Sequence, residues 1–492
     1  MKKYIINRVI RSILAILLVV SIAIVMLFTM ISRTLVFEQD ATIKKLSGDK
    51  RTIYAYNKWE DLGYLDFEQM SAMCKEESKD FGSCMITGSD ENNRVVNLYK
   101  DKGYTIQYLN DGTPFASRDY TALELISKFY SRLIKIDNPT FVKDEDNKDL
   151  KRGYSIGLDH NNLPAIMCSG CEYQYQLYVD GKFPFIHQNI FRLDFGNSFP
   201  TSQGIPTIDV ISTGQGKTVN KQVKFPSGNV SKSAVDLHTC KYKASSTLDH
   251  LDKNKFNNNY ANCQSNYDSP SMISTSYMFG ILSILLSYLI ALPAGMYMAR
   301  KKGKWQDKVG IAYINFLIAV PSLAFIYFVK LLGQGFGLPD KFPQLGYGNI
   351  KSYILPILIL ALLQTAGLMT WIRRYMVDQS NADYVKFAKA KGLSQREIFN
   401  RHILKNAILP IVNGIPASII LAISGSVITE SVFAIPGMGK MLPDAIKSYN
   451  NNMVITLTFI FTSLSIFSLL FGDLLMIFID PRIQLSTKGG TR

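Results

Sequence analysis

The chain has 492 residues, 47% hydrophobic and 19% charged, with a formal charge of +15 from 54 Lys and Arg against 39 Asp and Glu. These averages combine two unlike parts and exclude a uniform soluble globule: residues 37–271 hold 28 basic and 30 acidic side chains and all six cysteines, while the remainder holds 26 basic and 9 acidic. The basic part is also the apolar part, which argues against nucleic acid as the reason for the charge.

The first element in chain order is the uncharged run Ile13–Ile31, preceded by Lys2, Lys3, Arg8 and Arg11. About 20 apolar residues cross a hydrocarbon core. The run is too long for a signal-peptide core, and no small-x-small cleavage site follows before Arg33, so it reads as an uncleaved anchor.

Residues 37–271 are numerous enough to bury a core of their own. Alternating apolar residues predict strands at Arg94–Lys100 and Tyr104–Leu109, with a turn at Asn110-Asp111-Gly112. Leu123, Leu125, Ile126, Phe129, Leu133 and Ile134 fall at helical spacing and predict an amphipathic helix over 120–136. Tyr173–Val179 and Phe183–His187 flank Asp180-Gly181, the signature of a hairpin closed by a type I′ turn. Residues 212–234 read as loop or edge strand, and the whole segment as an α+β domain. Its cysteines, Cys74, Cys84, Cys168, Cys171, Cys240 and Cys263, allow 15 pairings. Short loop closure favours Cys74–Cys84 and Cys240–Cys263, leaving Cys168 with Cys171; free buried thiols are the alternative.

Several local patterns here carry little. Gly214-Gln215-Gly216-Lys217-Thr218 lacks the first glycine of a phosphate-binding loop, since position 211 is Ile. One Cys-x-x-Cys without a second pair is weak evidence for zinc or redox chemistry, and a structural disulfide is the better reading. His160, His187, His238 and His250 show no metal-ligand spacing, so no metal is expected. Asn229-Val230-Ser231 is a glycosylation sequon that matters only in a host that uses it.

Five further spans are expected near 275–299, 310–332, 353–372, 407–429 and 453–479. With the N-terminus cytoplasmic, segments 1–12, 300–309, 373–406 and 480–492 lie inside and hold 20 of the 26 basic residues. Both termini are then cytoplasmic and 37–271 is extracellular, where disulfides persist. The domains expected are an N-terminal helix (1–36), the extracellular α+β domain (37–271), a five-helix core (272–483) with a cytoplasmic loop (373–406), and a tail (484–492).

That loop is too patterned for a linker. It reads as two short helices joined at Gly392, with Leu393, Ile398 and Phe399 on one face and Arg396, Glu397 and Arg401 on others. Ala388, Ala390 and Gly392 form a small-residue hinge that another surface can approach closely. Docking to a soluble cytoplasmic partner and contact with anionic lipid are the two readings of such a loop.

The loop resembles the EAA loop of ABC-importer permeases, in the version used by oligopeptide and dipeptide permeases. The matching residues are Asp383-Tyr384-Val385, Ala388-Lys389-Ala390-Lys391-Gly392-Leu393-Ser394, Arg401-His402 and Asn406-Ala407. Lys386-Phe387-Ala388 stands where the general motif has Glu-Ala-Ala, and His402-Ile403-Leu404-Lys405 where it has Ile-x-Leu-Pro. Further landmarks follow in family order: Pro321-Ser322, Tyr353-Ile354-Leu355-Pro356, Glu430-Ser431-Val432-Phe433, Pro436-Gly437-Met438-Gly439, Gly472-Asp473-Leu474-Leu475 and Asp480-Pro481-Arg482-Ile483. The large insertion at 37–271 resembles Gram-positive permeases of the Opp or Ami type.

The resemblance implies a polytopic α-helical membrane protein of six transmembrane helices, the type I ABC-importer permease fold, with the α+β domain inserted between the first and second. It implies a cell-membrane permease subunit for peptide import that pairs with a second homologous permease. Two cytoplasmic ATPase subunits would carry ATP and Mg, this chain binding no cofactor and catalysing nothing itself. An extracellular lipid-anchored binding protein would deliver the peptide. Ala388, Ala390, Gly392, Leu393, Ser394, Arg396, Ile398, Phe399, Arg401 and His402 would form the ATPase-coupling loop.

Intramembrane polar residues are candidates for the pathway. Asp473 is placed about two turns inside the sixth span, where it would pair with a basic residue or cap a helix. Glu430 is expected at the outer boundary of the fifth span, with solvent exposure as the alternative to a pathway role. Ser424 and Gly425 lie in a small-residue tract from Gly414 to Ser426 that suits a pathway lining or a subunit interface. Competing readings are a permease for nickel or glutathione, a membrane-anchored extracellular binding or sensor protein, and an intramembrane enzyme. The last would need a cluster of polar residues at membrane depth, and Asp473 stands almost alone.

Overall fold

The computed structural model describes residues 2–147, 150–181, 185–422 and 427–479. The chain divides into two compact units, one of residues 21–269 with 446–456, the other of residues 1–20, 270–445 and those from 457 onward.

The first unit is α+β. A three-stranded antiparallel sheet has the order Leu65–Gln69, Pro114–Asp119, Thr105–Tyr108. Its alternating side chains serve two cores. Phe67 and Phe115 join Val36, Phe37, Tyr56 and Trp59. Ala116 joins Met70, Met73, Val95, Tyr99 and the Cys74–Cys84 disulfide. A second antiparallel sheet follows chain order through Gly153–Leu158, Pro164–Ser169, Tyr175–Val179 and Ile186–Gln188.

Local structure departs from the sequence reading in three places. Arg94–Lys100 is not a strand but part of the helix Asp90–Asp101. Ser89 caps it by accepting the Asn92 N–H, Asp90 and Glu91 sit in its first turn, and Asn92, Val95, Val96 and Tyr99 bury one face at helical spacing. The amphipathic helix is shorter than expected, Ala122–Leu133, opened by a Thr121–Glu124 capping box. Leu123 and Ile134 face solvent, and Ile134–Ile136 becomes a strand paired with Phe191–Leu193. The hairpin at 175–188 forms, but Val179 lies opposite Ile186, so the connection is longer than the two-residue turn expected. Its positive φ falls on Phe185 (+70°) rather than at Asp180-Gly181. Within 212–234, Lys221–Lys224 and Val230–Ser233 pair as a ribbon. No helix follows Gly214–Thr218, which a phosphate-binding loop requires.

The remaining disulfides are Cys168–Cys171 and Cys240–Cys263. Gly170, between the first pair, has φ +90°, and a Cβ there would stand 2.2 Å from the Pro139 carbonyl oxygen. Tyr260 fixes this turn: its hydroxyl accepts the Gly170 N–H and donates to the Cys171 carbonyl.

Residues 446–456 complete the unit from far along the chain. Asn450 Nδ2 donates to Ser198 Oγ (2.8 Å) and Thr201 Oγ1 (2.9 Å), Asn451 Nδ2 to Tyr64 Oη (2.6 Å) and Asn452 Nδ2 to the Asn197 carbonyl (2.9 Å). The Thr456 and Thr207 hydroxyls meet at 2.8 Å. Asn450, Asn451, Asn452 and Thr456 are all buried.

The second unit is helical. Among the described residues, five helices are long and apolar enough to cross a membrane: Ile5–Met30, Met272–Arg300, Lys351–Ser380, Gln395–Ile420 and Asn451–Gly472. The span expected at 310–332 is instead two helices, Trp305–Ala319 and Ser322–Gly335, bent by 108°. Pro321 is the cause, since it lacks an N–H and forces Val320 into an extended conformation (φ −74°, ψ 128°). Counting the bent pair as one span gives six.

Replacing Cys240 and Cys263 by serine should destabilise the α+β unit by about 3 kcal/mol, the loop-closure effect expected for a bridge across some two dozen residues. A lower thermal midpoint, with new proteolytic cuts between residues 221 and 264, is the expected result.

Candidate functional site: the loop between residues 380 and 407

Asp383–Ala390 forms a short helix that stops at Lys391. Gly392 then takes φ +76°, a left-handed conformation that side chains disfavour. Ser394 opens the next helix with a capping box: its Oγ accepts the Glu397 N–H, and the Glu397 carboxylate accepts from the Ser394 N–H and hydroxyl. The chain continues through a wide turn at Ile398–Ile403 into Leu404–Ala407. The predicted break between loop and span at 407 is therefore absent, and one helical run carries Gln395 through Ile420.

One face of the loop is built into the helical unit. Val385, Ala388, Ile398, Ile403 and Ala407 are buried with Met298, Ile314, Met369, Ile372 and Met376, and Leu393 and Phe399 pack at the edge. An ion pair lies at the foot of this cluster. Arg373 donates from Nε and Nη2 to the two oxygens of Asp307 at 2.6 and 2.8 Å, and the Gly303 N–H adds a third bond at 2.8 Å. Asp307 is 1% exposed, so its charge has left water and depends on these donors.

The other face is open. Lys386, Phe387, Lys389, Ala390, Lys391, Gly392, Ser394, Arg396 and Arg401 are exposed, and His402 is half-buried. A Cβ on Gly392 would meet nothing within 4 Å. The predicted hinge is thus divided: Ala390 and Gly392 are accessible, whereas Ala388 is committed to the chain's own core. Phe387, 69% exposed among lysines, is an addition to the accessible face. In the sequence it stood only as a departure from the motif, although helical period sets it opposite Val385 and Ala388.

Glu430 is not at an exposed boundary but fully buried. It accepts from Ser276 Oγ at 2.7 Å and from the Lys440 N–H at 2.9 Å, and Ser276 in turn accepts the Met438 N–H. Gly437 allows this, since a Cβ there would fall 2.5 Å from the carboxylate. Glu430 thereby caps the helix Met438–Lys447 and ties it to Met272–Arg300. Ser424, Gly425 and the segment Asp480–Ile483 fall outside the described residues, as does the side chain of Asp473 on the helix Asn451–Ile479.

The chain matches the family described as "Binding-protein-dependent transport system inner membrane component" over residues 291–485. The oligopeptide transport system permease protein AmiC of Streptococcus pneumoniae serotype 4 is 41% identical over 502 aligned positions, covering 100% of each chain. The dipeptide permease DppB of Lactococcus lactis subsp. cremoris is 29% identical over 43% of this chain and 70% of its own length. The oligopeptide permease AppB of Bacillus subtilis is 30% identical over 42% and 67%. The chain belongs to the permease family of binding-protein-dependent ABC importers, and is a multi-pass membrane protein. The similarity to oligopeptide and dipeptide permeases read from the loop and its landmarks holds.

Removing Arg373 should expose how far the loop depends on its foot. Arg373→Leu leaves the Asp307 carboxylate buried without its partner, at a cost of about 3 kcal/mol. The variant should lose its fold at a lower temperature in detergent, and the double change Asp307→Asn with Arg373→Leu should recover part of the loss.

Proposed function

We propose that the chain is one permease subunit of an ATP-driven peptide importer, forming half of the translocation pathway. The observation that carries this reading is the identity with AmiC across the whole of both chains, including the α+β insertion. The bent helix pair counts as one span, giving six, with both termini cytoplasmic and the disulfide-bearing α+β unit extracellular; the asymmetry of basic residues supports this orientation. A second homologous permease completes the pathway, and two cytoplasmic ATPase subunits hold and hydrolyse ATP. A lipid-anchored binding protein delivers peptide from outside, where the α+β unit receives it or covers the mouth.

The loop's two faces fit the coupling role. The open face offers Phe387, Ala390 and Gly392 within a rim of lysine and arginine, an apolar centre with a charged border as docking surfaces have. The inner face and the Asp307–Arg373 pair join it to the long helices. Movement of an ATPase against the open face would be passed on as a rigid displacement of those helices.

Affinity capture of the tagged chain from gently solubilised membranes, with mass spectrometry of its companions, tests the assembly. Two ATPase subunits and a second permease are expected; a chain recovered alone, where a control transporter stays intact, would favour a membrane-anchored sensor. Gly392→Trp should abolish most peptide uptake while the chain still reaches the membrane. The side chain has room within its own fold, so the damage falls on docking and on the φ of +76°. Wild-type uptake by this variant would remove the loop from the coupling role.

A further inference from the structure

The α+β unit brings together three side chains that sequence spacing did not connect. Asp159 lies in the tight turn between the strands Gly153–Leu158 and Pro164–Ser169. Its Oδ1 accepts the N–H groups of Asn161 and Leu163, both at 2.8 Å, which fixes the carboxylate plane. Its Oδ2 lies 2.6 Å from His238 Nε2. His238 comes from the single turn Leu237–Thr239, where Asp236 caps its N–H and stands 3.9 Å from its Nδ1. The His160 ring centroid is 4.3 Å from that of His238. Tyr178 stacks on His238, and Tyr175 stands edge-on to both imidazoles.

A buried Asp–His pair is common in protein cores and would explain Asp159 and His238, which are 5% and 3% exposed. It does not explain His160, whose Nδ1 is buried with no hydrogen-bond partner. An orphaned buried nitrogen is costly unless something else occupies it. One oxygen of Asp159 and one ring nitrogen from each histidine all lie within 4.8 Å of one another. Ligands around tetrahedral zinc, at metal distances of about 2.0–2.1 Å, are roughly 3.3 Å apart. The Asp159–His238 contact would open by less than about 1 Å to reach that spacing, and both distances to the His160 nitrogen are already no more than 4.8 Å. Asp236 beside His238 Nδ1 resembles the outer carboxylate that orients a ligating imidazole.

We propose that Asp159, His160 and His238 form a binding site for a divalent transition-metal ion of the zinc class, with a fourth position left for water or an incoming ligand. Two imidazoles and one carboxylate with an open position suit zinc better than calcium or magnesium, which take oxygen ligands.

The test uses the full chain in detergent, purified with a histidine-free tag, stripped with chelator and dialysed against Zn2+ alone. Mass-spectrometric metal analysis should find about one zinc per wild-type chain, and titration against a zinc indicator gives the affinity. His160→Gln and His238→Gln should each weaken binding by at least about a hundredfold. His187→Gln, on the opposite face of Tyr178, should leave it unchanged. If His238→Gln misfolds, His160→Gln still decides the matter, because it breaks none of the hydrogen bonds described above. A stripped wild-type chain that takes up no more zinc than the His160→Gln, His238→Gln double variant overturns the site. So does stoichiometric zinc that His160→Gln leaves untouched.

Discussion

Lipid gives two helices no hydrophobic reason to associate, so they must hold together by fit and by polar contacts. On Met272–Arg300 the fit comes from residues too small to keep backbones apart: Ser276, Gly280, Ser283, Ser287, Ala291, Gly295 and Ala299, all buried and three or four positions apart. A Cβ on Gly295 would stand 2.8 Å from Ile372 on Lys351–Ser380, and one on Gly280 would stand 2.5 Å from Ala422. Gln364 adds polar contacts to Ser283 (3.3 Å) and Ser287 (3.4 Å). The loop between residues 380 and 407 rests on the ends of these same helices, at Met298, Ala299, Ile372 and Met376. Its position is therefore inherited from a close approach made several turns away.

Among the described residues of the helical unit, the buried carboxylates Asp307 and Glu430 are held by the chain's own donors. Asp307 is saturated by Arg373 and the Gly303 N–H, and Glu430 by a hydroxyl and a helix N-terminus. Each joins segments distant in sequence at the point where a helix begins. Such pairs add little net stability but strongly penalise any arrangement that leaves one partner alone. They select one packing of helices whose apolar surfaces could pack in several ways.

Features encoded by neighbouring residues were legible in the sequence. The Gly392 break and the helix opened by Ser394 and Glu397 follow from local backbone chemistry, and so does the amphipathic face of Leu125, Phe129 and Leu133. Features that depend on a distant partner were not. Glu430 looks like a boundary residue until Ser276 and Lys440 close on it, and His160 and His238, adjacent in space, are far apart in sequence. The small-residue stripe of Met272–Arg300 is present in the sequence, but apolarity averaged along a span does not distinguish serine and glycine at one face from the same residues scattered. Arg94–Lys100 has strand-like alternation taken alone, but it lies inside a helix whose start is declared only by the Ser89 cap upstream.

The asparagines at 450–452 impose an order in time. The α+β unit has its first 249 residues by Ser269, yet Ser198, Thr201 and Tyr64 bond to side chains that the ribosome adds about 180 residues later. At ordinary synthesis rates that interval is roughly 10 to 35 seconds. During it the unit lacks these partners, and it is finished only when residues 450–456, at the head of the helix Asn451–Ile479, have arrived. Completion of this unit therefore waits on residues 446–456, and a chain truncated before residue 450 leaves Ser198, Thr201 and Tyr64 without these partners.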